Sequence, residues 1–265
     1  MYHHLWPGNV PPAGTPIDLA VVLEGMTSIS ALLAAKKAGM NDRNIFAVLF
    51  DRDKVEKKEK EFVFLRAACR ELRIELRVVD PADIARYASG TTHGGILAIC
   101  GHRRCPAATV DNLPKKGFLC LLDGIEDPYN FGYAIRSLYA AGCEGILVAE
   151  RNWLTASGVV ARASAGTSEA LPIYAGPVTT ALRTVKIMGY RVVAAGIRNA
   201  VSMYEADLKK PLLLVIGGEK RGISSSVSSM CDQTVRIGYG RAFRGSLSTA
   251  DATAVLAFEI LHQNS

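Results

Sequence analysis

Short, nearly continuous hydrophobic runs alternate along the first part of the chain with longer stretches in which apolar residues follow a helical period. Runs of this kind are typical of buried strands, and the longer stretches are typical of amphipathic helices. The alternation predicts a small α/β domain over residues 17–103. Its expected strands are at 45–50, 74–79 and 96–100, after an apolar stretch at 17–23, and its expected helices are at about 27–38, 53–72 and 81–87.

The same alternation begins again at residue 117. Because strands that are apolar on both sides need helices on both faces, the pattern indicates a parallel sheet in a second α/β domain at 117–265. The expected strands are at 118–122, 145–148, 191–195, 212–216 and 234–237, with a short apolar run at 171–174. One expected helix begins at Asn130, and the others are expected at 157–164, 179–188 and 249–262.

Two segments lack any periodicity. Residues 1–16 combine prolines with glycines and predict a flexible N-terminal tail. Residues 104–116 are rich in proline, alanine, asparagine and lysine, and they predict a linker between the two domains.

Charge and composition narrow the class of protein. The 265 residues carry a net charge of +6 and have a pI near 9.0, which favours an anionic partner such as nucleic acid. No apolar run approaches the ~18 residues that span a bilayer, and the N-terminus lacks the order of a signal peptide, so we expect a cytoplasmic protein. Six irregularly spaced cysteines predict reduced thiols. Cys100, His102 and Cys105 lack a second pair of ligands, so we expect no metal site.

Basic residues of the N-terminal domain predict contact with phosphate groups. Lys36, Lys37, Arg103 and Arg104 belong to this group, whereas the lysines within 54–60 alternate with glutamates and indicate an ordinary solvated face. Aromatic residues of the kind that stack on bases are not interleaved with these cations. We therefore expect the domain to bind a nucleic-acid backbone rather than to read bases.

Three expected strand ends carry unusual residues, and ligands of parallel sheets bind at such ends. The first is 127–136, where Asn130 is expected to cap a helix and Gly142 to follow the end of that helix. Gly132 and Arg136 lie four residues apart, so a small residue and a guanidinium share one helix face. Packing of this helix on a sheet, with Arg136 in water, explains the same pattern equally well.

The second strand end, 217–222, combines Gly217 and Gly218 with the carboxylate of Glu219. Paired glycines let a backbone approach a ligand closely, although an ordinary glycine-rich turn has the same composition. The segment lacks the lysine of a phosphate loop, which argues against a nucleoside triphosphatase.

The third strand end, 237–248, leads into the last expected helix. It lacks the third glycine of a dinucleotide fingerprint, which argues against a Rossmann dehydrogenase. Either Ser246 or Ser248 is expected to cap the helix. Arg241 and Arg244 indicate a phosphate nearby.

The order of these motifs resembles that of the SpoU (TrmH) branch of the SPOUT methyltransferases. The resemblance covers about residues 17–263 and rests on DPYNFGYAIRSLYAAG, ARASAGTSEALPI, LLLVIGGEKRGIS and RIGYGRAFRGSLSTADATAVLAFEI, in this order. TTHGGILAI at 91–99 resembles the family's N-terminal substrate-binding domain. The resemblance implies a SPOUT-type α/β fold, in which a parallel sheet with a C-terminal trefoil knot follows a small α/β RNA-binding domain of ribosomal-protein-like fold.

The same resemblance implies a homodimeric 2′-O-methyltransferase that uses S-adenosylmethionine and acts on structured RNA, with ribosomal RNA as the expected substrate. The family's functional polar positions fall on Asn130, Arg136, Glu219 and Ser246. The cofactor is expected at the backbone of Gly217, Ile237 and Leu247, with Gly218, Gly222 and Ser248 beside them, and RNA is expected at Arg103, Arg104, Arg241 and Arg244.

Two departures from the family pattern affect the expected site. Ser248 stands where the family usually has asparagine, and Gly238-Tyr239 replaces a proline-methionine pair. Serine cannot reproduce the two-ended contact of an amide, so the fine geometry or the substrate is expected to differ. Three alternatives stay open, namely a transfer RNA ribose methyltransferase, a non-catalytic RNA-binding or ribosome-assembly protein that retains the knot, and a small-molecule α/β enzyme.

Overall fold

The computed structural model describes residues 21–149, 156–242 and 245–265, which form two compact units. The first unit contains the described residues up to Arg104 together with 156–170, and the second contains the rest. The predicted tail at 1–16 and Arg244 lie outside the described residues. In chain order the elements are β1 Val21–Glu24, α1 Met26–Lys37, β2 Ile45–Asp51, α2 Glu59–Leu72, β3 Glu75–Val79, α3 Pro81–Tyr87, β4 Ile96–Cys100, β5 Phe118–Asp123, α4 Pro128–Ala140, β6 Gly145–Val148, α5 Ser157–Ala163, β7 Ile173–Ala175, α6 Val178–Ile187, β8 Arg191–Ala195, β9 Val201–Ser202, β10 Leu212–Gly217, α7 Ser225–Ser228, β11 Gln233–Arg236 and α8 Thr249–Gln263.

The first unit is built on a four-stranded sheet in the order β1-β4-β2-β3. Strand β4 runs antiparallel to β1 and β2, and β2 runs parallel to β3. Because successive side chains of a strand face opposite sides of a sheet, Val48 and Phe50 pack with Leu65 of α2, whereas Leu49 packs with Ile84 of α3. Helices therefore cover both faces, which accounts for the continuous apolar character of β2 and β4.

A buried ion pair holds segment 156–170 in the first unit, although the sequence assigned this segment to the domain at 117–265. The side chains of Arg43 and Glu169 are 4% and 1% exposed, with Arg43 Nε 2.7 Å from Glu169 Oε2 and Nη2 3.1 Å from Oε1. Asn41 Nδ2 donates to the same carboxylate at 2.9 Å. Burial alone would raise the pKa of Glu169, but the charge of Arg43 and the hydrogen bonds outweigh burial and hold the pKa below its ordinary value.

One predicted helix, 53–72, is divided in the structure. A short 3-10 turn covers Arg52–Lys54, and α2 begins only at Glu59. The turn forms because the Asp51 side chain accepts the backbone N–H of Asp53 at 3.0 Å. The charged residues that follow have few apolar side chains to pack, and packing of an apolar face supplies most of the stability of a protein helix.

The second unit is a seven-stranded parallel sheet in the order β7-β6-β5-β10-β8-β11-β9. This confirms the predicted parallel α/β sheet. On one face, Leu121 and Val215 pack with Leu182 of α6 and Val227 of α7. Helices α4 and α8 pack against each other, and α8 also contacts β10. Because the strands are parallel, their carboxyl ends lie along one edge of the sheet.

The predicted linker at 104–116 packs against the second unit from Cys105 onward. Leu113 is buried in the core of that unit. The hydroxyl of Tyr174 donates to Asn112 O at 2.7 Å, and the hydroxyl of Tyr190 donates to Pro114 O at 2.6 Å. A segment without helix or strand is thus fixed by tyrosines that satisfy its carbonyl groups.

All six cysteines are free thiols. Burial raises the pKa of Cys100 and Cys143 to about 12, which makes these thiols unreactive. The described part of the chain contains no helix that is long and apolar enough to cross a bilayer. It also contains no group of three or more His, Cys, Asp or Glu side chains placed to hold a metal ion.

Candidate functional site

The carboxyl ends of β5 and β10 are neighbours in the sheet and are tied together through Asp123. The backbone N–H of Gly218 donates to Asp123 O at 2.8 Å, and that of Ser224 donates to Asp123 Oδ2 at 2.8 Å. Asp123 is only 8% exposed, so its carboxylate acts as an internal acceptor. The first two strand ends identified in the sequence therefore meet in the structure.

Helix α4 is capped by Asp127, and the prediction that Asn130 is the N-cap is wrong. The Asp127 side chain accepts the backbone N–H of Tyr129 at 2.6 Å and that of Asn130 at 3.3 Å. The helix begins already at Pro128, because proline lacks an N–H that the first helical position would leave unsatisfied. Gly142 follows the end of the helix at φ +78°, as the sequence predicted.

The Asn130 side chain instead bonds the loop that follows β10. Its Nδ2 donates to Glu219 Oε1 at 2.8 Å, and nearby Lys220 Nζ lies 3.0 Å from Glu126 Oε2. Asn130 lies in the first turn of α4, and the other three side chains belong to the two loops that Asp123 ties together. Exposed ion pairs contribute only about 0–1 kcal/mol, so we assign these contacts to loop orientation rather than to stability.

Close backbone packing explains the paired glycines of this loop. A Cβ on Gly217 would lie 2.3 Å from the carbonyl carbon of Gly222, and one on Gly218 would lie 2.2 Å from Gly124 O. Gly222 itself adopts φ +63°, a conformation that favours glycine. The glycines thus allow the loop to fold against its own chain and to present Glu219 at the edge of the sheet.

The first residue of α8 lies against the carboxyl end of β10. The hydroxyl of Thr249, which is buried, donates to Gly217 O at 3.2 Å. Ser248 caps the helix, because its Oγ accepts the Asp251 N–H at 3.1 Å and donates to Asp251 Oδ2 at 2.8 Å. This confirms one of the two serines predicted as the cap. The two bonds with Asp251 also occupy the Ser248 hydroxyl, which the sequence had placed among the cofactor-binding positions.

Arg136 and Ser246 are exposed, and neither side chain forms a hydrogen bond or ion pair within the described residues. Asn130 and Glu219 bond each other, and among the described residues no hydrogen bond or ion pair joins either of them to Arg136. A rigid helix therefore presents a guanidinium whose five donors are available to an anionic ligand.

The backbone after β11 offers free polar groups beside an apolar surface. The backbone of Ile237 and Gly238 makes none of the hydrogen bonds found among the described residues. A Cβ on Gly238 or Gly240 would meet no atom within 4 Å. The side chains of Ile237 and Leu247 are partly buried, and Leu247 N–H donates to the Tyr239 hydroxyl at 3.3 Å. Free backbone groups beside an apolar wall fit an adenine ring.

The arginines predicted to bind RNA differ in availability. In the first unit, Arg103 donates to the carbonyl oxygens of Ser168 and Met40, whereas the side chain of Arg104 is 92% exposed. In the second unit, Arg241 is exposed and forms no bond within the described residues. Arg104 and Arg241 are therefore the more accessible of these cations.

Two residues that organise the site were missed by sequence reasoning. Asp127 had a local signal, because an acidic residue directly before proline is a frequent helix start. Thr249 had none, because its partner Gly217 lies 32 positions away along the chain.

The chain is similar in sequence to a family of rRNA methylases and to individual rRNA methyltransferases. Residues 117–258 match the model of the SpoU rRNA Methylase family. A 23S rRNA (guanosine-2′-O-)-methyltransferase RlmB of Shewanella oneidensis is 31% identical over 200 residues, which is 71% of this chain and 78% of the relative. An RlmB of Burkholderia sp. is 26% identical over 251 residues, which is 91% of this chain and 96% of the relative.

Solved structures show the same fold. The SpoU methyltransferase AviRb from Streptomyces viridochromogenes, in complex with AdoMet, superposes with a TM-score of 0.75 at 23% identity, over 93% of this chain and 91% of AviRb. An AdoMet-bound rRNA methyltransferase from Sinorhizobium meliloti has a TM-score of 0.73 at 22% identity, over 92% of this chain and 87% of the other.

Proposed function

The chain belongs to the SpoU rRNA methylase family, and from this premise we propose that it transfers a methyl group from S-adenosylmethionine to a ribose 2′-hydroxyl of ribosomal RNA. The observation that carries the proposal is the Asn130 to Glu219 hydrogen bond of 2.8 Å. It joins the first turn of α4, the helix that presents Arg136, to the loop that follows β10. The relatives named as 23S rRNA methyltransferases support ribosomal RNA, which also favours a cytoplasmic protein.

The residues of the site are suited to activating a weak nucleophile. S-adenosylmethionine, when bound, supplies a methyl group that is already activated by its sulfonium. A ribose hydroxyl is a poor nucleophile at neutral pH, so alignment with the methyl group supplies much of the rate enhancement. We assign Arg136 to the phosphate beside the target ribose and to the developing alkoxide, and Ser246 to a hydrogen bond with the 2′-oxygen. A guanidinium is a poor general base, so we assign no proton-accepting role to this side chain and assign the hydroxyl proton to solvent water.

The cofactor is assigned to the edge between β10 and β11. Backbone groups of Gly217, Ile237 and Leu247 would hold it, and the glycines at 218 and 222 would shape the adjoining loop. The free backbone at 237–238 supports this assignment. We restrict Ser248 to capping α8, since both hydrogen-bonding functions of its hydroxyl are used by Asp251.

A trefoil knot is part of the proposed fold. Strand β8 separates β10 from β11 in the sheet, yet the chain that leaves β11 reaches back to place Thr249 against Gly217. A chain that threads through a loop before α8 would follow such a path. The similarity to SpoU structures supports the same assignment.

We also propose a homodimer that forms through the outer faces of α4 and α8. Tyr139 on α4 and Phe258 and Leu261 on α8 are 44%, 49% and 36% exposed, and because the two helices pack against each other we group these side chains as one patch of the kind that marks interaction sites. Arg136 is exposed on α4 and has no hydrogen-bond or ion-pair partner among the described residues. A dimer through these helices would bring each Arg136 toward the other chain, so that the site is completed across the interface.

The dimer is tested by replacing Phe258 with glutamate. We expect sedimentation of the purified protein to shift from dimer to monomer, because a stable interface cannot bury an unpaired carboxylate. Ile187→Glu on α6 is the matched control, since Ile187 is 80% exposed and lies on a helix outside the patch. Equal sedimentation of the two variants would contradict an interface at α8.

Methyl transfer tests the proposed function directly. Ribosomal and transfer RNA from cells that lack the gene are incubated separately with the protein and labelled S-adenosylmethionine. We expect label in one ribosomal RNA at an alkali-resistant linkage, because a methylated 2′-oxygen cannot attack the adjacent phosphate. Label only in transfer RNA would change the substrate class. Binding of both cofactor and RNA without transfer would favour the non-catalytic RNA-binding protein.

A further inference from the structure

One edge of the first unit brings Lys58, which the sequence had assigned to an ordinary solvated face, to the same turn as Arg162 and His93. The carboxyl ends of β1 and β2 and the amino end of β4 meet there, because β4 runs antiparallel to both. The turn before β4 contains Gly94 at φ +62° and Gly95 at φ +83°. A Cβ on Gly95 would lie 2.7 Å from Asp51 Cβ, so this turn lies directly over the end of β2.

Lys58 is the first of these cations. It is partly buried, and a Cβ on Gly94 would lie 2.9 Å from its Nζ. No described residue forms a hydrogen bond or ion pair with this ammonium group. An ammonium group that is held against a backbone turn without a carboxylate is available to bind an external anion.

Arg162 and His93 direct further donors to the same turn. Arg162 Nη1 lies 2.9 Å from the buried Glu24 carboxylate and 3.5 Å from Thr92 Oγ1, and its other nitrogens bond no described residue. His93 Nδ1 accepts the Gly95 N–H at 3.0 Å, so a neutral imidazole carries its proton on Nε2. The guanidinium is thus anchored on one side and open on the other.

The two buried acidic groups of this edge, Glu24 and Asp51, already have partners within the protein. Glu24 accepts the backbone N–H of Ser89 in addition to its bond with Arg162. Asp51 accepts the Asp53 N–H, and Lys54 Nζ lies 3.5 Å from its carboxylate. Arg162 is therefore paired with Glu24 but keeps unused N–H groups, and Lys58 has no ion-pair partner among the described residues.

We infer that the turn at 92–95, with Lys58, Arg162 and His93, binds a backbone phosphate of the RNA substrate. The inference rests on the proposed function, because that function makes RNA the ligand. The ammonium of Lys58, the unused N–H groups of Arg162 and an imidazole N–H suit a phosphate oxygen, and they provide no pattern that distinguishes one base from another. The contact therefore adds affinity and orientation to the first unit without sequence specificity.

Binding of the full-length protein to 23S ribosomal RNA transcribed in vitro tests the inference over a series of salt concentrations. Lys58→Ala is expected to lower the slope of log affinity against log salt by about 0.7–0.9, the value for one lost phosphate contact. Lys60→Ala is the matched control, because Lys60 is an exposed lysine on the same segment. Lys58→Arg is expected to keep the slope, and thermal unfolding checks that each variant is folded.

Equal slopes for Lys58→Ala and Lys60→Ala, with both proteins folded, would overturn the inference. Methyl transfer by the unaltered chain is measured in parallel, so that failure of the function is distinguished from failure of this surface. Loss of slope in Lys58→Ala supports the phosphate contact even if the unaltered chain transfers no methyl group. Salt-independent binding of the unaltered chain would overturn it.

Discussion

Replacement of Arg136 by alanine is expected to reduce methyl transfer to RNA by about 10²–10³-fold, the usual cost of removing one donor that stabilises charge in a transition state. The guanidinium is exposed on a rigid helix and bonds no described residue, so its removal leaves no buried partner unsatisfied. We therefore expect the loss in turnover without a loss of thermal stability. Initial rates of methyl incorporation and a thermal unfolding curve of the same preparation measure the two quantities.

Two further variants sharpen this test. Arg183→Ala on α6 removes the same charge from an exposed position in the same unit, and it is expected to leave the rate unchanged. Arg136→Lys keeps the charge but loses the planar fork that binds phosphate through two parallel hydrogen bonds. Full turnover by the lysine variant would contradict a fork-shaped requirement, and sedimentation of each variant separates lost catalysis from lost dimer.

Replacement of Glu169 by glutamine is expected to lower the free energy of unfolding by about 3–5 kcal/mol, the cost of leaving a buried charge without its partner. Arg43 is 4% exposed and makes two of its hydrogen bonds to this carboxylate. Urea unfolding followed by circular dichroism measures the loss. The double variant Arg43→Met/Glu169→Met removes both charges and is expected to recover much of the stability, so an equally unstable double variant would contradict an unpaired charge as the cause.

The same carboxylate makes stability depend on pH in a defined direction. The ion pair with Arg43 holds the folded-state pKa of Glu169 below its ordinary value, so the unfolded chain takes up a proton first as pH falls. The stabilisation is therefore complete above the ordinary carboxyl pKa and is lost as pH falls through the lower, folded-state pKa. Unfolding curves at a series of acidic pH values are expected to show a shallower dependence in Glu169→Gln than in the unaltered protein.

Local sequence information was sufficient where one element could be recognised from its own residues. The strands at 96–100, 145–148 and 191–195 and the helix at 81–87 have the bounds that the hydrophobic pattern predicted. These runs are apolar and end at turn residues, so their conformation needs little information from elsewhere in the chain. The start of α4 was also encoded locally, in Asp127-Pro128, although the choice of Asn130 overlooked it.

Contacts between distant positions were beyond that information. Asn130 meets Glu219 across 89 positions, and Arg43 meets Glu169 across 126. The identity of these side chains indicates that they need partners but does not specify which ones, because many exposed charges of the chain are chemically equivalent candidates. Only the strand order, which places β5 beside β10, selects one pairing from the many that are possible.

The sequence by itself determined the α/β class, the parallel strands, the glycine-rich strand ends and the residue types of the site, because these depend on short-range periodicity and backbone preferences. The tertiary structure alone decided that segment 156–170 packs in the first unit, that Ser248 rather than Ser246 caps α8, and that Lys58 lies against a glycine turn with no partner among the described residues. These features depend on which surfaces approach each other when apolar area is buried. The hydrophobic effect is non-directional, so a local stretch of sequence does not specify which distant surface will cover it. The partner is selected only when the whole chain folds.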